Sequence, residues 1–249
     1  MLLRAEKISK SYPRGGREFY ALQETDLVLE PGKLITVSGR SGSGKTTLLN
    51  LMAGLAKPSS GSVLAVIPTL HGEAAAETFG AALEALPGQD AGYRADLYRM
   101  DDRALSRFRN EYYGIIPQGE SAVAALSVME NVMLPATVYA GDETVKDRAA
   151  KLLERMGIKN LGNAFPKELS GGELRSMAIA RAMIRDPQIL FADEPTSDLD
   201  DDNRDAVLSM LREIADQGKA VMVVTHEREA AQYADLRYRM DAGVLEKVT

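Results

Sequence analysis

The sequence predicts an α/β fold around a mostly parallel sheet, with an N-terminal antiparallel β subdomain and a helical subdomain. Three observations predict it. Short apolar runs alternate with helix-patterned segments, as in successive βα units. The central runs are apolar without alternation, which suits strands buried on both faces. Both chain ends read instead as antiparallel pairs. With 249 residues, 45% of them apolar, the chain can bury one large core with an attached lobe.

Taken in order, residues 2–9 and 25–30 read as antiparallel strands flanking a loop. Leu34 to Ser38 (LITVS) is a strand leading into a glycine loop and then a helix, TTLLNLMAGL. Residues 66–95 break the rhythm: Ala75, Phe79, Ala82, Leu83 and Leu86 recur at helical spacing ahead of a Pro-Gly stop, so a surface helix is expected there. Residues 114–116 close another strand. Residues 144–156 (TVKDRAAKLLERM) put Val145, Ala149, Leu152, Leu153 and Met156 on one helical face, with Gly157 as its stop. A second helix runs from Ser170 to about Arg185, ahead of Pro187. Residues 188–192 (QILFA) and 220–225 (AVMVVT) are buried strands, and residues 237–249 form a terminal hairpin. The division that follows is a core of 1–117 and 186–249, interrupted by an insertion at about 66–95, and a helical subdomain at 118–185.

Acidic residues outnumber basic ones 36 to 30, a net charge of -6, which disfavours a nucleic-acid partner because phosphate neutralisation needs Lys and Arg. Cysteine is absent, so no disulfide framework or thiolate metal site is available. MLLRAEKISK lacks the apolar segment of an export signal, and the longest apolar runs fall far short of the roughly 20 residues of a membrane span. A soluble, cytoplasmic chain is expected, one that would serve a membrane only by docking on a partner.

The chemistry concentrates at strand ends. Gly39, Arg40, Ser41, Gly42, Ser43, Gly44, Lys45 and Thr46 spell GRSGSGKT, a match to the G-x-x-x-x-G-K-[ST] loop, with Thr47 following. Such a loop turns backbone N–H groups around a β-phosphate, backed by the positive end of the following helix. Lys45 would reach the β- and γ-phosphates, and the Thr46 hydroxyl would ligate Mg²⁺. This makes the core a P-loop nucleotide-binding one. Asp193 and Glu194 directly follow a buried strand. In a phosphate site the first carboxylate assists Mg²⁺ and the second polarises the attacking water. His226 follows the 220–225 strand, and Gln118 follows YYGIIP. In a parallel sheet these carboxyl ends share one crevice. Ser170, Gly171, Gly172 and Glu173, after Leu169, spell LSGGE and open a helix, a second anion-ready helix end that calls for another phosphate or another molecule's nucleotide.

Together these segments, in this order, resemble the ATP-binding cassette family over nearly the whole chain apart from 66–95. The resemblance implies ATP and Mg²⁺ as cofactors and a head-to-tail dimer, in which Ser170, Gly171 and Gly172 of one subunit close over the ATP of the other. By it, Tyr12 in SKSYP stacks on adenine, with Tyr20 as the alternative. Gln118 joins Mg²⁺ and relays nucleotide state to a membrane partner, Glu194 is the general base, and His226 senses the γ-phosphate. Residues 197–200 (SDLD), ending in Asp200, form the loop that crosses between subunits. GRSGSGKTTLLN, IIPQ and VMENVMLPA most resemble the lipoprotein-release, macrolide-export and antimicrobial-peptide-export branch. That branch implies an ATPase that powers a separate integral membrane permease, paired with a second ATPase subunit. Leu174, Asp198 and the insertion depart from the family pattern. A non-transport cassette of the cell-division or cofactor-assembly kind is the alternative that the same motifs allow.

Overall fold

The structure is a computed structural model that describes residues 1–67, 82–86, 92–119, 121–138, 144–197 and 199–248. His71, Ala75, Phe79 and Asp198 therefore lie outside the described residues. The strands are β1 (Leu2–Arg14), β2 (Arg17–Leu29), β3 (Leu34–Ser38), β4 (Ser60–Ile67), β5 (Leu83–Ala85), β6 (Tyr93–Asp96), β7 (Tyr113–Ile116), β8 (Ile189–Asp193), β9 (Ala220–Thr225), β10 (Leu236–Asp241) and β11 (Val244–Val248). The α-helices are α1 (Lys45–Met52), α2 (Asp102–Tyr112), α3 (Val128–Thr137), α4 (Val145–Arg155), α5 (Gly171–Met183) and α6 (Asp201–Asp216).

Six strands form one sheet in the order β11-β10-β3-β9-β8-β7. All its pairings are parallel except the terminal β10–β11 hairpin. Every residue of β8 and β9 is buried, as their unbroken apolar sequence requires. The period-2 geometry sends their side chains into two cores. Ile35, Val37, Phe191, Met222 and Val224 face the core shared with α1, α2 and the antiparallel sheet. Leu34, Leu190, Ala192, Val221 and Val223 face the core shared with α3, α4, α5 and α6. Phe108, Tyr113 and Phe191 lock α2 and β7 against β8, with ring centroids 5.5 Å and 5.2 Å apart in edge-to-face contacts.

The second sheet is antiparallel, in the order β2-β1-β4-β6-β5. Its β1–β2 hairpin continues to Arg14 and Arg17, well beyond the short strands expected at 2–9 and 25–30. Gly15 and Gly16 explain the extension: both hold positive φ, the two-residue turn that matches strand twist.

The helix expected within 66–95 is corrected where that stretch is described. Leu83–Ala85 is an edge strand, with Leu83 opposite Ala95 and Ala85 opposite Tyr93. The Leu86 N–H donates to the Gly92 carbonyl at 2.9 Å, and Glu84 pairs with Arg94 across the strands. Cross-strand pairing there overrides the helical spacing of Ala82, Leu83 and Leu86. In α4 the expected face holds, with Val145, Ala149 and Leu153 buried. Its C-terminus is closed by Gly157 at φ 72°.

Candidate functional site

The site forms where β3, β8 and β9 end together. β3 pairs with β9 and β9 with β8, all in parallel, so Ser38, Thr225 and Asp193 lie at the same edge. The glycine loop leaves β3 there. Gly44 caps α1 at φ 111°, a conformation L side chains rarely adopt, and a Cβ at this position would lie 2.3 Å from the Ala21 carbonyl oxygen. The loop is thus pressed against β2 at Ala21. Ser43 is buried and its Oγ has no hydrogen-bond partner.

Lys45 is 6% exposed, and its ammonium donates to the Gly39 carbonyl at 2.8 Å and the Arg40 carbonyl at 3.2 Å. It also lies 3.4 Å from Glu194 Oε1. The other oxygen, Glu194 Oε2, accepts from the His226 backbone N–H at 3.1 Å and lies 2.9 Å from His226 Nδ1. With the proton on Nδ1, the imidazole donates to the carboxylate and turns Nε2 outward. Thr46 Oγ1 donates to Asp193 Oδ1 at 3.3 Å. Burial pushes the Asp193 carboxyl above its ordinary range; the Thr46 hydroxyl opposes that shift, neighbouring Glu194 adds to it, and Lys45 opposes it.

Glu194 holds φ 47°, in the left-handed region, although it is not glycine. Such a conformation costs on the order of 1–3 kcal/mol and persists only where the surroundings enforce it. Here Glu194 N–H donates to the Val224 carbonyl at 2.8 Å, and the Ser197 hydroxyl donates to the Glu194 carbonyl at 3.0 Å. The strain aims the carboxylate back at Lys45 and His226.

Other expected residues stand further out. Gln118 is exposed just beyond β7, which lies three strands from β3 in the sheet order. Tyr12 is 45% exposed on the β1–β2 hairpin with the Lys10 ammonium 5.1 Å over its ring, and Tyr20 is 46% exposed. Arg40, Ser41 and Gly42 are exposed on the loop.

At the second helix end, Ser170 and Glu173 form a capping box. Ser170 N–H and Oγ donate to Glu173 Oε2 at 2.7 Å and 2.8 Å. These bonds hold the Glu173 carboxyl below its ordinary range. Gly171 and Gly172 open α5 against the start of α6, where a Cβ on Gly172 would touch Asn203 at 3.0 Å. Asp200 caps α6 by accepting from Asn203 N–H at 2.9 Å.

Four residues were missed in the sequence. Buried Arg175 donates to the Pro117 carbonyl at 3.4 Å, tying α5 to the segment that carries Gln118. Thr196, Arg204 and Glu227 form a cluster behind the Glu194–His226 pair. Only the place of Glu227 next to a strand-end histidine was a usable signal.

The model of the ABC transporter family matches residues 22–197. The chain is 38% identical over 250 residues to the lipoprotein-releasing system ATP-binding protein LolD of Shewanella sp. (strain MR-7), covering 100% of this chain and 96% of that one. It is 36% identical over 240 residues to the macrolide export ATP-binding/permease protein MacB of Rhodopseudomonas palustris (strain BisB18), covering 96% of this chain and 32% of that longer protein. Among solved structures it is similar to the dimeric bacterial ABC transporter cassette MJ0796, with a TM-score of 0.80, 28% identity and 99% of each chain covered. A post-hydrolysis state of the same cassette, dimeric and bound to ADP and Pi, gives a TM-score of 0.79 at 27% identity, again over 99% of each chain.

Proposed function

The chain belongs to the ABC transporter family, and from that premise we propose that the strand-end site hydrolyses ATP to power a separate integral membrane permease. The observation that carries the reading is the Lys45–Glu194–His226 contact set beside Thr46 and Asp193. The glycine loop offers its N–H groups and the unpartnered Ser43 hydroxyl to the β-phosphate. Lys45 leaves Glu194 for the β- and γ-phosphate oxygens, trading a carboxylate for a phosphate. Glu194, freed of that ion pair and still held by His226, takes a proton from the water that attacks the γ-phosphorus. The bond to the β-phosphate oxygen breaks, and ADP and phosphate leave.

Mg²⁺ fits the residues present. Asp193 is a buried carboxylate raised by desolvation, a group that gains from a nearby cation, and Thr46 presents its hydroxyl to the same spot. Thr46 and Asp193 would hold the ion, with Gln118 brought in from β7. When bound it would neutralise developing phosphate charge. Tyr12 is the proposed adenine platform. Ser170, Gly171, Gly172 and Glu173 are proposed to close on the nucleotide of a second ATPase subunit, beside the loop that ends at Asp200.

The likeness to LolD and MacB favours the export branch, with peptides, antibiotics or lipoproteins as the transported class. It also favours a place on the cytoplasmic face of the membrane, reached through the permease. Among the described residues no helix is long and apolar enough to cross a membrane. The test pairs two measurements. Lys45→Ala should lose nucleotide binding and phosphate release while keeping its circular dichroism. Pull-down from detergent extracts should recover an integral membrane protein. Wild-type turnover in Lys45→Ala would sink the site, and recovery of soluble partners alone would sink the transport role.

A further inference from the structure

Among the described residues, two side-chain links join the ends of β8 and β9. The first is Glu194 to His226, which points into the site. The second lies behind it: Thr196, fully buried, donates its hydroxyl to Glu227 Oε2. The opposite oxygen, Glu227 Oε1, lies 3.5 Å from Arg204 Nε, and the Glu227 N–H donates to Thr225 Oγ1 at 3.0 Å. Arg204 sits on the first turn of α6, where it reaches Asp201 at 2.5 Å and the Leu199 carbonyl at 3.5 Å. One side chain thus ties the residue after His226 to the turn after Glu194 and to the start of α6.

That turn lies beside the start of α5, where a Cβ on Gly171 would meet Leu199 at 3.8 Å. Ser197 and Leu199 line a cavity of about 150 Å³ together with Gly171, Leu174 and Arg175 of α5. The cavity wall is shared between the segment that Glu227 restrains and the helix end opened by LSGGE.

We propose that Glu227 is a positioning residue for hydrolysis, a link that moves the Thr196–Leu199 turn together with His226. The proposal rests on the ATPase reading above. When Lys45 leaves Glu194 for phosphate, the Glu194–His226 pair is free to readjust. The buried Thr196–Glu227 bond carries that adjustment to the turn beside Gly171. Glu227 touches no reacting atom; it sets where the turn and the histidine stand relative to each other.

Glu227→Leu tests this in the full chain, because an aliphatic side chain of similar volume can neither accept from Thr196 nor pair with Arg204. Thr196→Val reads the same link from its other end with little change of volume. Each should leave the Kd for ATP within about twofold while kcat falls about tenfold, the loss of one charge-assisted bond in the closed state. In a Glu194→Gln background, each should raise the protein concentration needed for ATP-driven dimerisation by a similar factor. The double variant should be no worse than the poorer single one, since both cut one contact. Thr196→Ser, which keeps the hydroxyl, should restore turnover. Wild-type kcat and dimerisation in both single variants would overturn the proposal, and so would additive losses. A loss of activity that tracks only a lowered Tm, with normal dimerisation, would make the cluster purely structural. Glu194→Gln alone separates the two levels: if it hydrolyses ATP normally, the site reading fails, whatever Glu227 does.

Discussion

Replacing Glu194 by Gln perturbs two steps in opposite directions, and the geometry gives both magnitudes. Gln keeps the shape and the backbone demands of the left-handed position at φ 47°, so the fold should survive with little change in Tm. Its amide oxygen can still accept from the His226 backbone N–H, now 3.1 Å from Oε2. The amide cannot take a proton from water. General-base assistance is worth about 10²–10⁴ in rate, or roughly 3–5 kcal/mol of barrier, and kcat should fall by that factor. Binding moves the other way. Before nucleotide arrives, Lys45 lies 3.4 Å from Glu194 Oε1, a gross attraction of about 5 kcal/mol at an effective dielectric near 20. Most of that is cancelled by solvation, and a charged hydrogen bond is worth a net of about 1.5 kcal/mol at the low end. Gln removes this competitor for the ammonium, so the Kd for ATP should tighten about tenfold. The assay is equilibrium binding of a fluorescent ATP analogue alongside phosphate release, with light scattering to follow the ATP-bound dimer. Unchanged turnover would refute the base assignment. Weaker ATP binding would refute the view that Glu194 restrains Lys45 in the free state.

Three further outcomes are expected. Gly44→Ala forces a Cβ to 2.3 Å from the Ala21 carbonyl at a φ of 111°, so thermal unfolding should show a loss on the order of 2–5 kcal/mol, together with lost nucleotide binding. Ser170→Ala removes the capping box of α5, costing about 1 kcal/mol of stability; ATP affinity of the monomer should hold, while nucleotide-driven dimerisation in the Glu194→Gln background weakens. The Glu173 carboxyl is held below its ordinary value of 4.5 by Ser170. The stabilisation it contributes is therefore fully present above that value and is lost as pH falls through the lowered one. Melting curves of wild type and Glu173→Gln should differ at neutral pH and converge in acid, and a constant gap would exclude the carboxylate as the cause.

What the sequence made legible, and what it hid, follows from the range over which each feature is decided. β3 and β9 match the strands read at 34–38 and 220–225, because a strand buried on both faces must be apolar throughout and announces itself locally. The outer part of the β1–β2 hairpin was hidden, since residues 12–20 are exposed, their few aromatics form no buried alternating face, and only the paired glycines at 15 and 16 mark the turn. Leu83–Ala85 misled for the opposite reason: its spacing suits a helix, and its pairing with β6 is invisible until the register is known. The site divides in the same way. Lys45, Asp193, Glu194 and His226 were readable because each stands at or soon after the carboxyl end of a strand, and parallel strands bring such positions to one edge. Gln118 meets the same rule, yet how far it stands from the glycine loop depends on strand order. The order β3-β9-β8-β7 is set by crossovers and not by periodicity. Thr196, Arg204 and Glu227 belong to no motif, and Thr196 and Glu227 meet only because β8 and β9 are neighbours in that order. Residues proposed to handle phosphate need particular chemistry at particular strand ends, and that leaves a mark in sequence. Residues that hold those ends together need only a buried partner across a strand boundary, which many side chains can supply.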